Sequence, residues 1–237
     1  MSLADFILYF LISVLPCLTW LLLYLRQDVH PESHKKVIEV FFWGMVMVLP
    51  AILLEEFFSS FLPEGETGKS VFLLFFYYII GVGLVEEFLK YIVVKLRVID
   101  SSHLDEPIDI MLYLIIAGLG FATIENILVI FNITTLEEAA IISTVRLLSA
   151  VFIHTLAAAI TGYFWAYSAY HKRRSLLFFG ILIASILHGF YDVSIIKLEN
   201  TQDLFSFLMP TVIILFMGIL VFFFFIRVKK IPRTCKM

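Results

Sequence analysis

The stretch Gly83-Leu84-Val85-Glu86-Glu87-Phe88-Leu89-Lys90 sits inside a run, 70–96, that is otherwise apolar. Charges in a bilayer-crossing segment are costly, so two adjacent carboxylates and a lysine there mark a functional site by default. The rest of the chain agrees that the run crosses a membrane. Of its 237 residues, 61% are hydrophobic, and the mean hydropathy is +0.99, well beyond a soluble domain. Seven runs reach the roughly 20 residues of a crossing: 3–25, 37–62, 70–96, 109–131, 139–170, 175–196 and 204–226. The expectation is an all-α polytopic membrane protein, a bundle of about seven transmembrane helices, with 1–237 as one transmembrane domain. Barrel strands would be short and alternate in polarity, which these runs do not.

The first run, Leu3 to Leu25, lacks a basic n-region and a small-residue cleavage site, so it reads as a retained span. Cys17 and Cys235 supply neither a disulfide framework nor a cysteine zinc site. The connections alternate in basic charge. Arg26, Lys35 and Lys36 follow the first run, Lys95 and Arg97 the third, Lys172, Arg173 and Arg174 the fifth. Arg227, Lys229, Lys230, Arg233 and Lys236 follow the seventh, while the even connections hold only Lys69, none, and Lys197. The positive-inside rule then places the N-terminus outside and the C-terminus in the cytoplasm.

The spans carry a second polar set: Glu125-Asn126, Arg146, His154, His188 and Asp192. In an antiparallel hairpin, residues equidistant from the loop centre share a depth. A loop centred near 135–136 sets Glu125 level with Arg146, and one near 172–173 sets His154 close to Asp192. His188 lies one turn from Asp192 on the same face. Glu86 and Glu87 fall about five residues, roughly 8 Å, to the cytoplasmic side of Glu125, an offset that tilt can absorb.

Plainer readings exist for each residue. Glu86 and Lys90 are spaced i, i+4 and can neutralise each other, leaving Glu87 unpaired. Glu125 and Arg146 read as an ion pair between helices. His154 or His188 alone would be a hydrogen-bonded core histidine. Convergence at one depth favours a site. By contrast Leu53-Leu54-Glu55-Glu56-Phe57, an echo of Leu84–Phe88 near the end of its span before Pro63, reads as an interfacial acidic pair. His30, His34, His103 and His171 sit in connections and read as solvated. Gly81, Gly83, Gly118, Gly120 and Gly162 are helix-packing candidates.

A carboxylate in a low-dielectric pocket can act as a general base, and a histidine can assist or bind a developing oxyanion. That is sufficient for water attack on an amide without a covalent intermediate. The same set (His154, His188 and Glu87) could hold Zn2+, although no His-Glu-x-x-His helix is present. A proton-coupled transporter is the alternative, since such chains also relay protons. The absence of inverted repeats and of Pro-broken spans weighs against it. A non-catalytic membrane scaffold is the third reading.

Taken in order, Glu86-Glu87-x-x-Lys90, Gly118-x-Gly120-Phe121-Ala122-x-x-Glu125-Asn126, His154 and His188-x-x-x-Asp192 resemble the PrsW family of intramembrane proteases, as does Asp105-Glu106-Pro107-x-Asp109. The match spans about 70–196, and Ile110 stands where the family usually has glycine. The family is similar to the wider CAAX-protease and bacteriocin-processing superfamily. The resemblance implies a membrane-embedded peptidase of the bacterial cytoplasmic membrane. Its expected partners are the bilayer and a single-span protein substrate, for example an anti-sigma factor cleaved at site 1. No nucleic-acid partner is expected. The base role falls to Glu86 or Glu87, with Glu87 preferred. His154, His188 and Asp192 assist, and Lys90, Glu125, Asn126 and Arg146 support. The family is commonly described as metalloprotease and the superfamily as glutamate-dependent, so Zn2+ and no cofactor both stay open.

Overall fold

The computed structural model describes residues 2–27, 32–61, 71–99, 104, 106–201 and 203–232. His30, Pro63, Lys69, His103, Asp105, Arg233, Cys235 and Lys236 lie outside the described residues. The described chain is helical, without a strand: α1 (Leu3–Leu25), α2 (His34–Val46), α3 (Val48–Ser59), α4 (Val71–Phe76), a π-helical segment (Tyr77–Leu84), α5 (Val85–Arg97), α6 (Pro107–Ile130), α7 (Leu136–Leu148), α8 (Ala150–His171), α9 (Arg174–Thr201) and α10 (Leu204–Val228). They form seven helical stretches long and apolar enough to cross a membrane, the expected number. The outer surface is strongly apolar: Leu53, Phe72 and Phe222 are all exposed, as a lipid-facing surface requires.

The bundle is organised around α6. Every residue from Pro107 to Thr123 is buried, as expected of a helix that is hydrophobic all round. It packs on α8, α2, α1 and α5. A Cβ at Gly120 would collide with the Phe41 carbonyl oxygen, so glycine is what lets α2 approach α6 backbone to backbone. The helix begins with Pro107 in its first turn and a capping box in which Asp109 accepts from the Glu106 N–H at 2.6 Å. Asp109, part of the motif stretch, therefore acts in helix initiation.

Two spans are broken. The second bends at Met47, between α2 and α3. Pro50 lacks the N–H that would bond the Val46 carbonyl, and its ring crowds that carbonyl. This corrects the expectation that no span is broken at proline. The fifth span breaks at Ser149 (φ −125°, ψ −95°), which separates Arg146 on α7 from His154 on α8.

Candidate active site

The third span changes helical form just before the acidic pair. The π-helical segment Tyr77–Leu84 runs into α5, whose first turn carries Glu86 and Glu87. Wide turns of this kind recur where a helix must re-aim side chains. This one is held by two glycines at its contact with α9. A Cβ on Gly83 would lie 2.6 Å from the Ser185 carbonyl oxygen, and one on Gly189 2.5 Å from that of Tyr78. Backbone-to-backbone contact thus docks the segment on the helix that bears His188 and Asp192.

Five helices, α5 to α9, deliver the cluster. The Lys90 ammonium, fully buried, donates to Glu87 Oε1 at 2.7 Å and to Glu86 Oε2 at 3.2 Å, and contacts His154 Nδ1 at 2.9 Å. It also lies 4.9 Å from the centre of the Phe121 ring. An ammonium has only donors, so His154 Nδ1 accepts, and the ring proton sits on Nε2. That proton points to Glu125 Oε2, 2.7 Å away. Glu125 is paired in turn with Arg146 at 3.7 Å. Arg146 Nε donates to Asn126 Oδ1, and Asn126 Nδ2 donates to the Ser13 carbonyl at 3.2 Å, anchoring the chain to α1. His188 Nδ1 is 3.2 Å from Glu87 Oε1. Its Nε2 faces Glu86 at 3.8 Å and Asp192 at 4.0 Å. The two imidazoles stand perpendicular, with centres 4.9 Å apart. Glu87 Oε2 and Asp192 Oδ2 are buried without a hydrogen-bond partner.

The structure thus brings Glu86, Glu87, Lys90, His154, His188, Glu125, Asn126 and Arg146 into one connected network, with Asp192 at its edge. Glu125 meets Arg146 as the loop arithmetic expects, and His154 bridges the offset to Glu86. One expectation is reversed: Lys90 lies nearer to Glu87 than to Glu86, so Glu87 is not the unpaired carboxylate. Both carboxylates converge on one ammonium, and the i, i+3 partner is the nearer. Ser185 and Ser194 of α9 take no part, since they donate to the Ile181 and Tyr191 carbonyls.

A profile for PrsW family intramembrane metalloproteases matches residues 32–226. The chain belongs to the PrsW family. It is 32% identical to Protease PrsW of Geobacillus kaustophilus over 75% of this chain and 74% of that one. It is 32% identical to Protease PrsW of Bacillus subtilis over 75% and 77%, and 29% identical to that of Clostridioides difficile over 77% of both. No solved structure matches it. The chain is a multi-pass, membrane-embedded peptidase.

The PrsW family description implies a metal. One ligand atom each from Glu86, Glu87, His154 and His188 lies within 4.8 Å of the others, and carboxylate with imidazole is a suitable zinc donor set. The unpartnered Glu87 Oε2 also suits a cation. The Lys90 ammonium already lies among these donors, so a metal could bind only with Lys90 displaced from His154 and the glutamates.

Glu55 has surroundings that its place near the end of a span did not show. This half-buried α3 residue lines a cavity of about 260 Å³ together with Glu125 and Arg146. Glu56 is exposed, as an interfacial residue would be. A larger cavity of about 360 Å³ lies elsewhere, between Trp20, Phe152 and Phe222, with none of the cluster in its walls.

Proposed function

We propose that this PrsW-family peptidase hydrolyses a peptide bond of a membrane-anchored protein by direct attack of water at the Glu86/Glu87/His154/His188 cluster. The observation that carries this reading is the buried Glu87 carboxylate. Its Oε1 is fixed by Lys90 and His188 while its Oε2 has no protein donor. A buried carboxylate oxygen requires a donor, and in a hydrolytic site a water O–H meets that need.

Glu87 Oε2 takes a proton from the water as its oxygen bonds to the scissile carbonyl carbon. The tetrahedral intermediate collapses with cleavage of the C–N bond, and Glu87 returns the proton to the leaving nitrogen. Lys90 cannot bind the oxyanion, because its three N–H groups already meet Glu87, Glu86 and His154. Its role is to fix the two glutamates. His154 holds Lys90 on one side and Glu125 on the other. His188 donates Nδ1–H to Glu87 and presents Nε2 to the reacting atoms. In its protonated form it stabilises the oxyanion, with Asp192 beside it. When bound, a zinc ion held by Glu86, Glu87, His154 and His188 supplies Lewis acidity and a more acidic water.

The substrate unwinds locally, since an intact helix hides its amides. By the resemblance, that substrate is a single-span protein such as an anti-sigma factor in the bacterial cytoplasmic membrane; the basic charge of the odd connections puts the N-terminus of the enzyme outside. The test is cleavage of a single-span substrate by reconstituted enzyme in H2 18O with added hydroxylamine. Direct water attack yields a carboxylate with one solvent oxygen and no hydroxamate. A hydroxamate product would reveal an acyl-enzyme and overturn the mechanism.

A further inference from the structure

The cavity between α3, α6 and α7 opens to the side of the bundle: its rim residues Ile52 and Leu128 are 45% and 47% exposed. Its inner wall is shared with the cluster. Phe121 lines it and also lies against Lys90 and His154. Glu125, which holds His154, lines it as well. A cavity that opens towards lipid and shares a wall with the candidate active site is where a side chain of a membrane-embedded segment can enter.

Its charge is lopsided. Arg146 is engaged by Asn126 and Glu125. Glu125 is engaged by Arg146 and His154. The Glu55 carboxylate has no hydrogen bond or ion pair among the described residues, yet it is within electrostatic range of Glu86, Glu125, Asp192 and His188. One acidic group is left to face the cavity, above walls made of Val48, Ala51 and Ile52. Space of about 260 Å³ accommodates one long side chain and no helix. An aliphatic stem with a cationic head suits such a site, with the stem on the apolar wall and the head at the carboxylate.

We propose that this cavity is a substrate subsite, in which Glu55 binds the lysine or arginine side chain of a residue flanking the scissile bond in the unwound segment. Glu55 is then a specificity-determining residue. The inference rests on the hydrolytic reading for its role, although binding at the subsite can be observed without turnover. Glu55 lies within one turn of the end of α3, at the end of the bundle that carries the 131–135 connection. A basic residue at that level of the substrate lies near the membrane interface, where its charge is tolerated.

The test uses full-length protein in lipid nanodiscs and single-span peptides carrying lysine, leucine or glutamate at successive positions near one interface. Wild type should prefer lysine to leucine by about tenfold or more in kcat/KM at one position, the value of a charge-assisted hydrogen bond. Glu55→Gln, which keeps the side-chain shape, should bring that ratio towards one, mainly through KM. Glu55→Lys should move the preference to the glutamate peptide. An unchanged ratio in Glu55→Gln, or no position with a lysine preference, would overturn the proposal. A photoreactive side chain in place of Leu128, in a Glu87→Gln background, should capture the lysine peptide in preference to the leucine peptide. Capture with no cleavage by wild type would refute the hydrolytic reading and sustain the subsite. Cleavage by wild type with no preferential capture would refute the subsite alone.

Discussion

Lys90→Met removes the ammonium while keeping an unbranched side chain in its place. In the native protein that ammonium is wholly buried and bridges two carboxylates that are themselves 4% and 1% exposed. Removing one partner of a buried ion pair typically costs about 3–5 kcal/mol, because the remaining charge loses its compensation. For a protein of this size that corresponds to a Tm lower by roughly 6–20 °C. Tryptophan fluorescence during thermal unfolding in detergent provides the assay, with three tryptophans as reporters. The geometry also dictates the rescue. Glu87 is the nearer partner, at 2.7 Å against 3.2 Å for Glu86. Adding Glu87→Gln to Lys90→Met should therefore recover more stability than adding Glu86→Gln. A loss below about 1 kcal/mol, the range of exposed pairs, or no recovery with Glu87→Gln, would refute the description of Lys90 as the charge that holds the cluster together.

Three further outcomes follow from the same structure. Lys90→Met should raise Zn2+ affinity by about tenfold or more, since a positive charge leaves the donor set; equilibrium dialysis showing unchanged or weaker binding would mean that Lys90 and the metal do not compete. Gly189→Ala forces a methyl against the Tyr78 carbonyl and should cost about 1–3 kcal/mol and lower kcat, whereas a neutral effect on both would show that the π-helical segment is not held by α9. Asp109→Ala removes one half of the α6 capping box and should lower stability by about 1 kcal/mol with kcat per folded molecule unchanged; a large kcat loss with intact stability would place Asp109 in the site after all.

The fold was legible because lipid imposes one simple rule: spans must be long, apolar and helical. Glu86, Glu87, Lys90, His154 and His188 stood out for the same reason, since nothing but function or close pairing keeps such groups there. Loop arithmetic then placed Glu125 against Arg146. What stayed hidden depended on helix geometry that hydropathy does not encode. The π-helical turn before Glu86 and the break at Ser149 set side-chain directions without altering composition. Pro50 was visible, but its bend at Met47, which leads into the half of the span bearing Glu55, was not inferred. Glu55 read as half of an interfacial acidic pair because both glutamates lie near the end of their span before Pro63, and that position does not reveal the cavity that Glu55 lines. A Coulombic pairing by i, i+4 spacing alone misassigned Lys90, which serves both glutamates.

The central claim is that the Glu86/Glu87 pair at this cluster activates the hydrolytic water. Single-turnover cleavage of a single-span substrate by wild type and by the Glu86→Gln/Glu87→Gln double variant, in the same liposomes, tests it most directly. The account predicts cleavage by wild type and none by the double variant once thermal unfolding shows that the variant is folded. Cleavage by the folded double variant at the wild-type rate would contradict it.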